Sequence, residues 1–378
     1  MDTEERRALL ALNCLPGLGP AVAAELCRQA GSAAAVLAAP RRWRLPWGRS
    51  FRVPDPAAAL AAAEAEAERL AGLGARLVTQ VDADYPKRFL HLPHPPPVVA
   101  VIGRAEVLAG DRRRIGLVGA RACTPYGRSQ AARFGTGFAV AGAVVVSGAA
   151  RGIDQAGMAA ALAAGGAVVA VLGSGLDRPY PPEARPLLER IAGEGGAVVS
   201  EFPCGTAPVR GNFPRRNRLI AALVDAVVVV EATRRSGSMI TAGLAASLGR
   251  EVFAVPGPLD SIVSRGPLAL IREGAGAALG PEEVLADLEP VRPEPADDPL
   301  LVALERGDAS LAELAAALGL PEDQILLQLV EHELHGRVCR RPSGLYHRCG
   351  PLLAARAPAS PDPGPSAPLP GLRPDGGA

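Results

Sequence analysis

The central part of the chain alternates short apolar runs with helical stretches. The runs are IGLVGA (115–120), AVVVSG (143–148), AVVAVLG (167–173), AVVSEF (197–202), DAVVVVEA (225–232) and EVFAVPG (251–257). Because each run is continuously apolar, it predicts a strand buried on both faces, as in a parallel sheet covered by helices. The pattern indicates a Rossmann-like, doubly wound α/β domain. A further run, VVAVIG (98–103), predicts one more strand and an extended version of the fold.

The N-terminal part has helical rather than strand-like periodicity. Two short helical patterns in 8–40 are interrupted by Pro16-Gly17-Leu18-Gly19, which predicts a helix-hairpin-helix in a SAM-like helical domain. Glycines at such a turn can expose N–H groups to a DNA phosphate, or can simply let two helices pack. Residues 41–56 are interpreted as a connector, and 56–73 as an Ala/Glu-rich helix.

The C-terminal part changes composition twice. The stretch 281–298 is acidic and proline-rich and is interpreted as a linker. In 310–347, two amphipathic helices separated by Gly-Leu-Pro precede a two-strand pattern that turns at Ser343-Gly344, which predicts a small winged helix. The predicted domains are 1–75 (helical), 76–283 (Rossmann-like), 284–298 (linker), 299–350 (winged helix) and 351–378 (a disordered, Pro- and Ala-rich tail).

Composition narrows the function classes. The 378 residues carry a formal net charge of +1, and aromatic residues make up only 3%. The cysteines (Cys14, Cys27, Cys123, Cys204, Cys339 and Cys349) show no C-x-x-C pair, so we expect reduced thiols and no metal. The start, MDTEERRALL, lacks signal-peptide order, and no apolar run has the length of a membrane span. We expect a cytoplasmic protein.

The loops after the predicted strands carry candidate binding residues, because ligands of this fold bind at the carboxyl ends of the strands. Arg121 follows the first strand, and VSGAARGID (146–154) places Ser147, Gly148 and Arg151 after the second. The third loop, LGSGLDRPYP, has Arg178 where a dinucleotide fingerprint has its last glycine. We therefore expect neither NAD nor FAD, and no other cofactor.

The segment 200–232 is the most informative. Arg210, Arg215, Arg216 and Arg218 surround Phe213 in a loop predicted to precede the helix RRNRLIAAL, and Asn217 of the same segment is a further candidate binding residue. Guanidinium groups interleaved with an aromatic ring are typical of single-stranded nucleic-acid binding, with cations on phosphates and the ring between bases. The alternative is that Phe213 packs into the core and the arginines form a solvated face.

The next loop has a similar ambiguity. Ser236-Gly237-Ser238 lies between a predicted strand and a predicted helix. Its hydroxyl and N–H groups suit an anion such as a phosphate. Alternatively, Ser238 is simply the N-cap of the helix.

Eight motifs together carry a resemblance to a known family. They are GARACTPYG, SGAARGID, AVLGSGLDRPYP, SEFP, FPRRNRLIA, VVEATRRSGSMITA, GREVFAVPG and GPLALIREGA. In this order and spacing, across about residues 80–280, the chain resembles the DprA family (DNA-processing protein A, or Smf). The resemblance implies a homodimer that binds and protects incoming single-stranded DNA during natural transformation and helps to load the recombinase RecA.

The resemblance also assigns roles to residues. It implies that Arg121 lies in the DNA pocket, that Arg210 and Phe213 contact backbone and base, and that Ser147, Gly148 and Arg151 line the same region. The chain departs from the family pattern at Gly157-Met158, where Ala-His is usual, and at Ala184, where Asn is usual. We interpret both departures as changes in the pocket wall.

Two other function classes remain open. Related Rossmann-like phosphoribohydrolases cleave nucleotides, and Asp154, Asp177 and Glu231 near strand ends are candidate acids. The chain has SGSMITA in place of their PGGxGT-type loop and pairs these carboxylates with no nucleophile, so we expect no enzyme. A protein–protein adaptor that uses the winged helix is the third class. His332 and His335 are interpreted as winged-helix positions rather than metal ligands.

Overall fold

The structure is a computed structural model that describes residues 2–39, 42–53, 55–110, 112–288, 298–305, 307–334, 338–340 and 344–348. The chain divides into two compact units, 1–289 and 290–378, and each is described by itself. The predicted tail, 351–378, lies outside the described residues. Within the described ranges, no helix combines the length and apolar character needed to cross a membrane.

The first unit begins with a small helical layer. Its elements are α1 (Asp2–Cys14), α2 (Pro20–Ala30), α3 (Ala33–Ala38), β1 (Trp43–Arg44), β2 (Ser50–Phe51) and α4 (Pro56–Gly72). Ser32 caps α3, and Asp55 caps α4 just before Pro56, which is a favoured first helical residue. The predicted connector contains a short antiparallel hairpin, in which β1 pairs with β2. Trp43 of this hairpin is buried in the core of the helical layer.

A large sheet with its helices follows. The strands are β3 (Ala75–Thr79), β4 (Val98–Gly103), β5 (Arg114–Val118), β6 (Val144–Ser147), β7 (Val168–Val171), β8 (Ala197–Ser200), β9 (Ala226–Val229), β10 (Glu251–Ala254) and β11 (Gly276–Ala277). The helices are α5 (Pro125–Val140), α6 (Ile153–Ala163), α7 (Arg185–Gly193), α8 (Asn212–Leu223), α9 (Gly237–Ser247), α10 (Arg265–Arg272) and α11 (Pro281–Asp287). Short 3₁₀ helices cover Lys87–His91, Ala105–Leu108 and Pro182–Ala184.

The strand order defines a switch point in the middle of the sheet. Across the described residues, nine strands are ordered β11-β10-β9-β5-β6-β7-β8-β4-β3. The strands from β11 to β8 are parallel, whereas β4 and β3 join antiparallel. The chain winds outward from β5 to β8 and then returns to β9 on the other side of β5. The carboxyl ends of β5 and β9 therefore flank the crevice where ligands of such sheets bind.

Apolar clusters cover both faces of the sheet. Phe134 and Phe138 of α5, Met158 of α6 and Leu188 of α7 pack on one face. On the other face, the clusters come from α8 and α9 and include Leu219 and Ala242. The predicted mixed α/β fold with a mostly parallel sheet is confirmed, including the strand predicted at 98–103.

The predicted linker is wrong over its first residues. Residues Pro281–Asp287 form α11, and Val284 and Leu288 are buried in the core beneath α5. The acidic side chains of this stretch favour a linker, but its apolar positions pack in the core against α5. Residues 289–297 lie outside the described residues.

The second unit contains α12 (Pro299–Glu305), α13 (Leu311–Leu318), α14 (Glu322–Leu334), β12 (Val338–Arg340) and β13 (Tyr346–Arg348). Leu304, Leu314, Ile325 and Tyr346 belong to its core. A capping box between Ser310 and Glu313 starts α13, which ends at Gly319 and its left-handed φ of 65°. The predicted strand turn at Ser343 lies outside the described residues.

Candidate nucleic-acid interface

A cavity of about 460 Å³ opens at the switch point of the sheet. Its walls are the loop after β5, the loop after β6, the first turns of α8 and the first turn of α9. The lining residues are Val118, Gly119, Ala120, Arg121, Ala150, Asp154, Arg210, Phe213, Pro214, Arg216, Asn217, Ile220, Ser236, Gly237, Ser238 and Thr241. We call this space the switch-point cavity.

Phe213 stands at the mouth of this cavity. Its ring is half-buried, lies 5.8 Å from the ring of Tyr180 and has the Arg121 guanidinium 5.3 Å above its centroid. A Cβ on Gly173 would lie 3.0 Å from a ring carbon of Phe213, so the absence of a side chain at Gly173 leaves room for the ring. Phe213 is thus only partly buried, and part of its ring remains accessible to a ligand.

The loop predicted to hold Phe213 is helical. Helix α8 begins at Asn212, whose amide donates to the Ala207 carbonyl at 3.2 Å, so Phe213 lies in the first turn. Pro214 fits there because the first N–H groups of a helix have no intrahelical acceptor. The prediction of a loop before RRNRLIAAL is therefore wrong, since the helix begins earlier.

Arg216 forms the floor of the cavity. It is buried and donates to the Gly148 carbonyl at 2.8 Å, to Oδ1 of Asn217 at 3.1 Å and to the Val171 carbonyl. Burial lowers the pKa of Arg216 to about 10, partly offset by the charge of Asp154. The guanidinium thus stays charged at neutral pH and places a fixed positive charge under the cavity.

Asp154, one of the candidate acids, lies beside Arg216. Its carboxylate accepts from the backbone N–H groups of Gly148 at 3.2 Å and Ala150 at 3.3 Å. Burial raises the pKa of Asp154, while Arg216 and the N–H groups act in the opposite direction. The side chain is occupied in shaping the loop after β6.

Gly148 and Ser147 shape the same loop from below. A Cβ on Gly148 would lie 2.4–2.6 Å from the guanidinium atoms of Arg216, so only glycine leaves room for that arginine. The fully buried Ser147 hydroxyl donates to the Leu117 carbonyl at 2.6 Å. Ser147 therefore links β6 to β5 beneath the cavity rather than lining it.

The start of α9 forms the opposite wall. Ser236 is the N-cap residue, so the alternative that Ser238 is the N-cap is wrong. The hydroxyls of Ser236 and Ser238 lie 2.8 Å apart, and the Asn217 amide fixes the turn by donating to the Gly237 carbonyl at 3.1 Å. N–H groups at such a helix start favour an anion.

The remaining predicted arginines lie around the rim. Arg210 is exposed and lines the switch-point cavity. Arg151 lines a small adjoining cavity with Tyr180 and pairs with Glu183. Arg215 is exposed and lies 5.1 Å over the ring of Phe202, outside both cavities. Of the predicted site residues, only Ser147 and Arg215 are absent from the lining of the two cavities.

Several lining residues were missed by sequence reasoning. The ring of Tyr180 packs against that of Phe213 at an interplanar angle of 53°, and Ile220 and Thr241 complete the cavity wall. The scarcity of aromatic residues was a usable signal for Tyr180, which follows directly on the glycine-rich loop after β7. Nothing in the pattern separates Ile220 or Thr241 from ordinary core residues.

The other two candidate acids also have structural roles. Glu231 is buried and accepts from the Thr124 N–H at 2.8 Å and from the Thr124 hydroxyl, at the start of α5. Asp177 accepts from the Gly205 N–H at 2.9 Å. In the part of the chain that the structure describes, no group of three or more His, Cys, Asp or Glu side chains is placed to hold a metal.

The interpretation of the two family departures as pocket wall is wrong. Met158 and Ala184 are buried in the core cluster on the α5 face of the sheet. A Cβ on Gly157 would lie 2.2 Å from a methyl group of Leu117, and its carbonyl packs against Gly135 of α5. These positions serve helix and sheet packing: Gly157 and Met158 lie on the inward face of α6, Ala184 is buried at the end of a 3₁₀ helix, and none of the three lines the switch-point cavity.

Comparison with known proteins identifies the family. A family model described as DNA recombination-mediator protein A matches residues 76–289. Protein Smf of Synechocystis is 41% identical over 215 residues, which cover 56% of this chain and 54% of that protein. The chain thus matches only about half of that relative's length.

Two solved structures show the same fold. DNA processing protein A from Streptococcus pneumoniae superposes with a TM-score of 0.56 at 34% identity, over 62% of this chain and 83% of that one. DNA processing protein A from Helicobacter pylori, whose structure describes a single-stranded DNA binding mode, gives a TM-score of 0.51 at 29% identity, over 56% and 95%. With a family model that covers more than half of its length, the chain belongs to the family of DNA recombination-mediator protein A.

Proposed function

We propose that the chain binds single-stranded DNA in the switch-point cavity and does not cleave it. The observation that carries the proposal is Phe213, a half-open ring held by Tyr180 and Arg121 at the mouth of a cavity with a cationic floor. A base stacks on such a ring, and the flanking arginines bind the phosphates of the strand. The DNA-binding mode described for the Helicobacter pylori protein supports the same ligand here.

Each predicted residue has a part in the proposal. Phe213 stacks on a base, and Arg121 and Arg210 contact phosphates at the rim. The start of α9, with Ser236, Gly237 and Ser238, receives a further phosphate. Contacts from Arg151 and Arg215 extend the rim, while Ser147, Gly148, Arg216 and Asn217 hold the cavity in shape.

The wider role belongs to the same proposal. We infer a cytoplasmic homodimer that protects incoming single-stranded DNA and helps to load RecA during natural transformation. The helices before 75 act as a helix-hairpin-helix domain, 76–289 as the DNA-binding domain and 299–350 as a winged helix. The helix-helix-hairpin order of α13, α14, β12 and β13 supports the last assignment.

Binding to three ligands tests the proposal. At fixed salt, the purified chain should bind an oligothymidylate more tightly than a duplex of equal length and more tightly than a mononucleotide. Intact DNA should be recovered afterwards. Preferred mononucleotide binding with turnover, abolished by Asp154→Asn or Glu231→Gln in a folded protein, would instead establish a nucleotide-cleaving enzyme, because a mononucleotide also suits a switch-point crevice.

A further inference from the structure

An exposed ion pair lies at the rim of the proposed DNA site. Nε of Arg151 donates to Oε1 of Glu183, and both side chains are exposed. Arg151 follows β6, and Glu183 belongs to the 3₁₀ helix Pro182–Ala184, just before α7. The proposed function gives Arg151 a contact with the strand, but it gives Glu183 no part.

The pair borders the small cavity that adjoins the switch-point cavity. Arg151 lines this small cavity together with Tyr180, while Arg121 and Phe213 line both cavities. The two cavities therefore meet at the ring of Phe213. A strand that stacks one base on this ring has a neighbouring phosphate within reach of Arg151.

The charge of Arg151 is already neutralised in the free protein. Its hydrogen bond lowers the pKa of Glu183, so the carboxylate is ionised at neutral pH. A carboxylate and a phosphate bind the same N–H groups of a guanidinium, and they therefore compete for it. A phosphate at this end of the site has to displace Glu183 before it contacts Arg151.

The other carboxylates near the switch-point cavity have different partners. Asp154 and Glu231 are buried, and they accept hydrogen bonds from the loop after β6 and from Thr124. Their charges are thus held inside the protein. Glu183, by contrast, is exposed and accepts from an arginine that lines the proposed binding surface.

We propose that Glu183 limits the affinity of the site for single-stranded DNA by holding Arg151 in an ion pair that a phosphate must displace. The inference rests on the proposed function, since the competing ligand is the strand bound at Phe213. Without the charge of Glu183, Arg151 is free to neutralise one more phosphate.

The test is a double-mutant cycle, which isolates the coupling between the two side chains. Glu183→Gln removes the charge and keeps the size of the side chain. Arg151→Ala and the double variant Arg151→Ala/Glu183→Gln show whether the effect of Glu183 passes through Arg151. The ligand is an oligothymidylate of about 16 nucleotides, the upper end of the site sizes of single-strand binding folds.

A matched ion pair on the same helix supplies the control. Arg190 donates to Glu194 at 2.8 Å, at the end of α7 that is farther from Glu183. The side chains of this pair are 51% and 45% exposed, against 54% and 47% for Arg151 and Glu183. Glu194→Gln therefore removes the same charge from an equally exposed pair away from both cavities.

We expect Glu183→Gln to bind the oligomer about two- to fivefold more tightly at low salt, because an exposed ion pair is of modest strength. The slope of log K against log salt should become steeper by about 0.7, since one more phosphate is neutralised. In the Arg151→Ala background, Glu183→Gln should have no effect beyond that of Glu194→Gln, which should bind like the wild type. Melting temperatures show that each variant is folded.

Three outcomes would overturn the inference. Unchanged affinity and slope in Glu183→Gln would show that the pair does not limit binding, and weaker binding would show that Glu183 orients Arg151 for the phosphate. An equal gain with and without Arg151 would show a general charge effect. If Phe213→Ala still weakens binding in any of these cases, the proposed function stands, whereas a wild-type chain that does not bind the oligomer overturns both.

Discussion

At the scale of single residues, stacking and charge should separate cleanly in the switch-point cavity. Changing Phe213 to Ala removes the ring between Tyr180 and Arg121, and a base-stacking platform contributes about 1–3 kcal/mol to binding. Affinity should fall at every salt concentration, with the salt slope unchanged. Phe213→Tyr keeps the ring and should keep the affinity.

Thermal unfolding completes that test. Removing a fully buried ring costs about 3–5 kcal/mol of stability, whereas the half-open Phe213 should cost less. Unchanged oligonucleotide affinity in a folded Phe213→Ala protein would reject the stacking role.

Arg210 should behave differently from Phe213. Its exposed guanidinium at the rim contributes through phosphate neutralisation, so Arg210→Ala should release fewer counterions on binding. The salt slope should become shallower by about 0.7 for a single strand. A variant that loses affinity with the original slope would show that Arg210 acts by shape rather than by charge.

Cysteine chemistry gives a residue-scale prediction that depends on pH. Burial, together with Glu66, raises the pKa of Cys14 and of Cys204 to about 12, and burial raises that of Cys27 to about 11. At pH 8 a thiol of pKa 12 is thiolate in about one molecule in 10,000, against roughly a quarter for an ordinary thiol. Because the thiolate reacts, native alkylation of Cys14 and Cys204 should be very slow.

Peptide-resolved mass spectrometry after iodoacetamide treatment measures this. Labelling of both residues should increase about tenfold per pH unit up to their pKa, and should become fast in denaturant at pH 8. Equal rates in native and denatured protein would show that these thiols are not shielded.

At the scale of elements, the loop after β6 depends on the absence of a side chain at Gly148. A methyl group at Gly148 would displace the Arg216 guanidinium and its hydrogen bonds to the Gly148 and Val171 carbonyls. Gly148→Ala should therefore lower the unfolding free energy by about 1–3 kcal/mol and weaken DNA binding.

A matched glycine serves as the control for Gly148. Nothing lies within 4 Å of a Cβ at Gly243, an exposed position in α9. Gly243→Ala should raise stability by about 0.5–1 kcal/mol, as is usual inside a helix, and leave binding unchanged. Urea unfolding of both variants decides, and a Gly148→Ala protein as stable as Gly243→Ala would contradict the packing described for Arg216.

The elements also show what the sequence could predict. All six apolar runs of the central domain coincide with β5–β10, because continuous burial leaves a continuous apolar signature. The start of α8 was missed because the Asn212 contact to the Ala207 carbonyl depends on the fold of the loop, not on periodicity. Helix α11 was missed because its buried positions are few and its acidic ones many.

The site was predictable in its residues but not in its arrangement. Parallel strands bring their carboxyl ends to one edge, so Arg121, Gly148 and Phe213 were expected to converge there. How deeply each side chain is buried was not predictable. Arg215 and Arg216 are neighbours in sequence, yet Arg216 forms the buried floor of the cavity and Arg215 lies over Phe202. Which side chain faces inward depends on tertiary contacts such as those to Val171 and Gly148.

At the scale of the whole molecule, the first unit has an apolar core of its own that continues through Leu288. A chain truncated after residue 289 should therefore fold with the same melting temperature for this unit and keep most of its affinity for a single strand. Truncation after residue 284 also removes Leu285 and the buried Leu288 from α11 and its end. Losing a buried leucine costs about 2–5 kcal/mol, so this shorter chain should melt earlier.

Calorimetry and oligonucleotide binding on the two truncations and the full chain measure both effects. The longer truncation is the matched control for the shorter one, since both lack 290–378 and differ only in α11 and its end. If the longer truncation melts like the full chain but loses most of its affinity, the second unit takes part in binding and the switch-point cavity is not sufficient. If instead the two truncations have the same melting temperature, residues 285–289 contribute nothing to the stability of the core. The boundary of the DNA-binding domain then lies nearer Val284, where the acidic composition had placed it.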